Sequence, residues 1–314
     1  GIFRGGGAGG ADQGDQYLSG VYWNWVRGKK GLRLWVQIGF TALTNGYWLG
    51  FLTGRIYRGP GKAACVPGLN CYSCPGALGS CPIGALQAVL GSRDYKVSFY
   101  VTGFLLLVGS VFGRFVCGWL CPFGLVQDLL YRIPFFRKRK NLPGHKGLVW
   151  LKYGILALFV ILLPSVVADL VGQGSPWFCK YICPSGTLMA GLPLLASNEY
   201  LRTAAGALFA WKVGLLVLVD PACLWVYRPF CKYICPLGAV YSLFNPVALY
   251  RYEIREDKCT KCGRCASACK MDIKTWQQPN SRECIRCGDC VAACPEGAIL
   301  RRPFGRGRQN EDKK

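Results

Sequence analysis

Apolar residues run in four long blocks, and polar residues gather between them. Leu34 to Gly54 carries no charge and follows Arg27, Lys29, Lys30 and Arg33. Val97 to Gly113 is the shortest block, bounded by Lys96 and Arg114. Leu148 to Ala168 is interrupted only by Lys152, and Thr203 to Tyr227 holds Lys212 and Asp220. A helix needs about 20 apolar residues to cross a bilayer, so the pattern predicts four transmembrane helices. The apolar periodicity stops near Tyr250, where a short, cysteine-rich polar segment takes over.

The charges between blocks set the expected orientation, because cytoplasmic loops of membrane proteins are enriched in Lys and Arg. The most basic loop holds Arg132, Arg137, Lys138, Arg139, Lys140 and Lys146. Placing it inside puts both termini inside as well. The nearly neutral loop from Asp169 to Arg202 then lies outside, as does the loop from Arg55 to Lys96. That last loop carries Arg55, Arg58, Lys62, Arg93 and Lys96 against Asp94 alone, which opposes the assignment. Residues 1–31, rich in Gly, Ala and Asp near their start, lack the apolar core of a signal peptide and are expected to form a flexible cytoplasmic tail.

Composition narrows the function classes. The formal net charge is +22 and 52% of residues are hydrophobic. Because the basic residues sit in blocks rather than in one aromatic-rich stripe, they suit membrane topology and exclude nucleic acid as the partner. Nineteen cysteines in a long apolar chain do not fit a secreted disulfide scaffold. Eight of them form Cys259-x2-Cys262-x2-Cys265-x3-Cys269 and Cys284-x2-Cys287-x2-Cys290-x3-Cys294-Pro295. In such runs three thiolates wrap one iron–sulfur cube and the fourth reaches the other. The spacing assigns Cys259, Cys262, Cys265 and Cys294 to one [4Fe–4S] cluster, and Cys284, Cys287, Cys290 and Cys269 to a second. Zinc is the competing ligand of paired Cys-x2-Cys, but two four-cysteine runs fit clusters better. The expected organisation is a tail (1–31), an all-α polytopic four-helix transmembrane domain (32–250), a small α+β bacterial-type 2[4Fe–4S] ferredoxin domain (251–302) and a polar tail (303–314).

The other eleven cysteines lie among the apolar blocks. Three motifs read Cys-x3-Cys-Pro: Cys117/Cys121, Cys179/Cys183 and Cys231/Cys235. Four cysteines open a Cys-Pro-x-Gly phrase: Cys81, Cys121, Cys183 and Cys235. Pro suits the first turn of a helix, where its missing N–H costs nothing. Each phrase therefore predicts a short helix, such as Phe123 to Leu130 or Leu237 to Leu243, whose free N–H groups suit an anionic cluster. Cys117, Cys121, Cys231 and Cys235 fall together on the cytoplasmic side and add up to one set of four ligands. Arg114 and Arg228, each three residues before its motif, either offset cluster charge or mark the membrane edge. On the outer side Cys71, Cys74, Cys81, Cys179 and Cys183 supply five thiols and Cys65 a sixth. Four of these bind a further cluster, or they form disulfides. Cys223 reads as buried apolar filler. Lys212 and Asp220 either pair or exchange protons with a quinone; the simpler reading leaves them near the interfaces.

His145 is the only histidine, so a bis-histidine haem is excluded, and no Gly-x-Gly-x-x-Gly stands between a strand and a helix. With Cys117-Gly118-Trp119-Leu120-Cys121-Pro122, Cys231-Lys232-Tyr233-Ile234-Cys235-Pro236 and the trailing double motif, the chain resembles the NapH/NosR group of membrane iron–sulfur proteins over roughly Leu32 to Arg302. The resemblance implies a multi-pass protein of a bacterial or archaeal cytoplasmic membrane. Such a protein passes electrons between the quinone pool, other redox subunits and an extracytoplasmic acceptor, in the manner of a quinol dehydrogenase subunit. A different class of function is an accessory reductase that matures a partner, with Cys65 to Cys81 as a working dithiol. A transporter is a third reading, for which the sequence shows no inverted repeat.

Overall fold

The computed structural model describes residues 31–92, 98–134, 138–167 and 174–302. The two expected tails, apart from Gly31, and Lys96, Arg137, Ala168 and Asp169 lie outside the described residues. The four apolar blocks become helices of unequal kind. His145–Val166 and Ala207–Trp225 are, among the described residues, the two helices long and apolar enough to cross a membrane. At 1.5 Å per residue their 22 and 19 residues span roughly 30 Å. Much of their apolar surface points outward, including Ile161, Leu162, Trp211, Val217 and Leu218, as lipid-facing helices require. The backbone of His145–Val166 widens into π-helical turns over Leu156–Leu162, just before Pro164. A proline removes one i→i−4 bond and crowds the preceding turn, and a π-bulge is a recurrent way to absorb it.

The other two blocks fall short of the expected spans. Ser98–Phe112 is a helix of 15 residues, closed by Gly113 at φ +53°. The first block breaks into Leu32–Thr44 and Trp48–Thr53. Asn45 and Gly46 stand at the break, and the half-buried turn is stitched to the following loop: Tyr47 N donates to Gly76 O at 3.1 Å and Leu78 N to Thr44 O at 2.9 Å. Hydropathy registers the composition of this block but not the Asn-Gly interruption.

The Cys-Pro phrases start helices: Pro82–Leu90, Pro122–Arg132, Pro184–Gly186 and Pro236–Phe244. In each, the cysteine is the N-cap with an extended backbone, φ between −66° and −82°. Upstream, Phe115–Trp119, Trp177–Tyr181 and Pro229–Tyr233 are five-residue helices that carry the first cysteine of each pair. The three motifs thus share one backbone form. Pro122–Arg132 packs against Ala207–Trp225 and Leu32–Thr44, while His145–Ile155 packs against Pro229–Tyr233 and Pro236–Phe244. Cys117, Cys121, Cys231 and Cys235 share one buried core with Cys65, Cys81, Cys179 and Cys183, while Cys71 and Cys74 pack in a smaller cluster with Ala77 and Ala190.

The C-terminal module is framed by a two-stranded antiparallel sheet, Arg251–Ile254 with Ile299–Arg302, in register Arg251↔Arg302. Between the strands lie the short helices Arg264–Ala268 and Asp289–Ala293. The module docks on the helical domain through buried polar contacts. Glu283 accepts from Arg114 at 2.6 Å and also pairs with Lys152 of the His145–Val166 helix. Burial opposes the charge on Glu283, but Arg114 and Lys152 outweigh it and hold the carboxyl below its usual range. Asn245 Nδ2 donates to Cys284 O at 2.9 Å, and Trp119 Nε1 donates to Arg286 O at 3.0 Å. Gly118 permits the contact: a β-carbon there would stand 2.3 Å from Ile285 O.

Candidate metal centres

Both four-cysteine runs of the module use the same bends. Lys261 and Arg286, just before the second cysteine of each run, sit at φ +53° and +52°. Gly263 and Gly288, just after it, sit at φ +75° and +90°, where glycine carries no steric cost. These left-handed residues curl each run around a centre. Cys259, Cys262, Cys265 and Cys294 line one hollow with Trp276 and Pro295. Cys290 neighbours Cys287, Cys284 and Cys269. The structure therefore brings together the two crossed sets that the spacing assigns.

The site expected at the inner face joins two motifs that lie more than a hundred residues apart. Cys117, Cys121, Cys231 and Cys235 line one closed hollow with Pro67, Gly68 and Leu69. Gln127 Nε2 lies 3.1 Å from Cys231 Sγ, and Gly238 N lies 3.3 Å from Cys235 Sγ. The two arginines cross over. Arg114 donates to Cys231 O at 3.0 Å, and Arg228 donates to Cys117 O. Both are fully buried. Arg228 also grips Asp128 with two bonds, 2.7 and 2.6 Å, and holds a left-handed backbone, φ +50°, that costs a non-glycine residue about 1–3 kcal/mol. Burial works against ionised Asp128, yet Arg228 and Arg33 hold its carboxyl well below the usual range. Of the two readings of these arginines, the burial and the crossed contacts favour charge compensation over a membrane-edge marker.

The outer site takes four of the six outer thiols. Cys179 neighbours Cys183, Cys81 and Cys71, and Cys183 neighbours Cys71 and Cys81. Gln87 Nε2 donates to Cys179 Sγ at 3.3 Å, while its Oε1 accepts from Phe178 N at 2.9 Å. Lys212 donates to Cys179 O at 3.2 Å and makes no ion pair with Asp220, whose Oδ1 has no hydrogen-bond partner. Cys74 neighbours Cys71, but its thiol turns to Asn45 Oδ1 at 3.6 Å. Cys65 lies 3.9 Å from Ser80 Oγ. No disulfide joins any of the nineteen cysteines. Cys223 is fully buried, bonded to Val219 O at 3.4 Å.

The donor sets suit a cluster better than a single ion. Each set is made of thiols alone, and the two four-cysteine runs have the spacing of cluster ligands. Burial pushes the Cys121 and Cys183 thiols above their usual range. Sequence reasoning missed Gln87, Gln127, Asp128 and Glu283. A signal for the glutamines exists: both stand in Cys-Pro-x-Gly-x-x-Gln, at Cys81 and at Cys121.

Comparison with known proteins agrees with this chemistry. A 4Fe-4S binding domain family matches residues 97–143, 153–197 and 207–249, and a 4Fe-4S dicluster domain family matches 251–295. An uncharacterized protein of Methanocaldococcus jannaschii is 30% identical over 66% of this chain and 71% of its own length. The methylamine utilization ferredoxin-type protein MauN of Paracoccus denitrificans is 32% identical over 53% of this chain and half of its own. The regulatory protein NosR of Pseudomonas aeruginosa is 29% identical over 51% of this chain and 21% of its own. No solved structure matches.

Proposed function

The chain belongs to the ferredoxin-type electron-transfer proteins of the NosR/NapH type, and from that premise we propose a multi-pass carrier in the cytoplasmic membrane with four thiolate sites for [4Fe–4S] clusters. When bound, each cluster takes up or releases one electron. The chain supplies the rest. Its thiolates hold the iron, Arg114 and Arg228 balance the charge, and the apolar core excludes water from both membrane sites. The observation that carries this reading is the assembly of two four-thiol sets from distant motifs beneath a docked ferredoxin module. In this reading the module faces the cytoplasm and exchanges electrons with other redox subunits.

A cavity of about 560 Å³ supports a quinone as one partner. It lies between the module and the helical domain, walled by Trp119, Tyr131, Tyr227 and Leu32, with Arg33, Asp128 and Lys270 as polar groups and Cys287 at its edge. Flat aromatic walls suit a quinone ring, and the cations suit its carbonyl oxygens. Anaerobic iron and sulfide analysis followed by redox titration with electron paramagnetic resonance tests the whole reading. About sixteen irons per chain are expected, whereas about eight would confine clusters to the module and overturn it. Adding quinol to the oxidised protein should reduce the clusters, and Lys270→Met should weaken that reduction without changing iron content.

A further inference from the structure

One strip of chain separates the inner thiols from the outer ones. Gly68 lies against the inner motif: a β-carbon there would stand 3.0 Å from Cys121 Cα and 3.1 Å from Leu120 O. A β-carbon there would crowd the motif, so glycine suits this close approach. Beyond Gly68, Leu69 lines the hollow of the inner thiols. Cys71, three residues beyond Gly68, is itself an outer thiol. Neighbouring Cα atoms are 3.80 Å apart, so Cys71 stands at most about 11 Å along the strip from Gly68, and the two thiol sets lie on the order of 10–15 Å apart. Tyr241 stands beside the strip: it is fully buried, neighbours Cys117, Cys121 and Cys81, and donates its hydroxyl to Pro67 O at 3.0 Å. The sequence places these sites on opposite faces of about 30 Å of hydrocarbon; the loop instead folds inward and brings them together.

We propose that the inner and outer sites form one electron-transfer pair, joined through the Leu69–Asn70 peptide and the Tyr241 ring. The inference rests on reading both four-thiol sets as cluster sites. One electron leaves the reduced site as the other accepts it; no bond forms or breaks and no proton need move.

Two paramagnetic centres this close couple magnetically. The test uses the full chain, loaded anaerobically in lipid nanodiscs and reduced with dithionite. Its paramagnetic resonance spectrum is compared with that of a Cys179→Ala, Cys183→Ala variant, which empties the outer site. The pair predicts a loss of about four irons per chain and a sharpening of the inner-site signal to that of an isolated centre. If iron falls but the inner line shape stays the same, the pairing is overturned and the four-cluster reading stands. If iron does not fall, the outer site holds no cluster, and that reading and the pairing fail together. Cys71→Ser empties the same site from another part of the chain and applies the same criteria if the double variant fails to assemble.

Discussion

The inner and outer membrane sites are built from the same parts and set in different surroundings. Each has a five-residue helix, an extended cysteine, a Cys-Pro helix start and one glutamine donating to the first thiol of the facing motif. The inner site adds two fully buried arginines, a carboxylate that locks one of them and a ferredoxin module that locks the other. The outer site has lysines: Lys212 at Cys179 O, and Lys62 near Cys71 and Cys74. A guanidinium presents a rigid fork that suits bidentate contacts, whereas an ammonium is a mobile point charge. The comparison teaches that backbone form places the thiols, while the charged neighbours decide how firmly each site is held.

Four experiments bear on that contrast, the largest effect first. Arg228→Met leaves Asp128 with Arg33 and the Gln37 amide and should cost about 3–5 kcal/mol, as losing one partner of a buried pair does. Iron analysis should show the inner cluster lost and the outer one kept, and equal loss from both sites would end the distinction. Glu283→Gln strands the charges of Arg114 and Lys152 and should cost about 3 kcal/mol, read as faster protease cleavage between the helical domain and the module. Acid should act the same way. Because the folded carboxyl is held low, its contribution is complete above about pH 4.3 and fades as pH falls through the lowered value, which protease sensitivity across a pH series would follow. At the outer site Lys212→Met should be milder, about 1 kcal/mol, since one hydrogen bond to a carbonyl is lost. A loss of stability as large as that of Arg228→Met would show that lysine anchors as well as arginine. Smallest are Gln127→Leu and Gln87→Leu. Each removes one N–H from a sulfur and should lower the potential of its own cluster only, by up to about 30 mV, roughly a threefold shift for one electron. A potential titration that moves both clusters equally would contradict site-specific tuning.

Much of this was legible in the residues. Cys-Pro at a helix start is a local matter, and the short helices after Cys121 and Cys235 follow from the pyrrolidine ring alone. The crossed ligand sets of the module follow from spacing. What hydropathy could not reach is long-range. The break at Asn45 depends on a loop thirty residues later, and the partners of Gln87 and Gln127 sit on other motifs. The loop from Cys65 to Cys81 reads as outer because the most basic loop sets the topology, but its residues pack into the core, with Gly68 close against Cys121.

The crossing arginines also bear on synthesis. A nascent chain released only as far as Trp225 carries Cys117, Cys121 and Asp128 but not Arg228, Cys231 or Cys235. Its half-site exposes an unfilled acceptor at Cys117 O and a carboxylate met only by Arg33 and the Gln37 amide. Neither half closes alone: only a chain translated past Cys235 carries all four thiols and both arginines of this site.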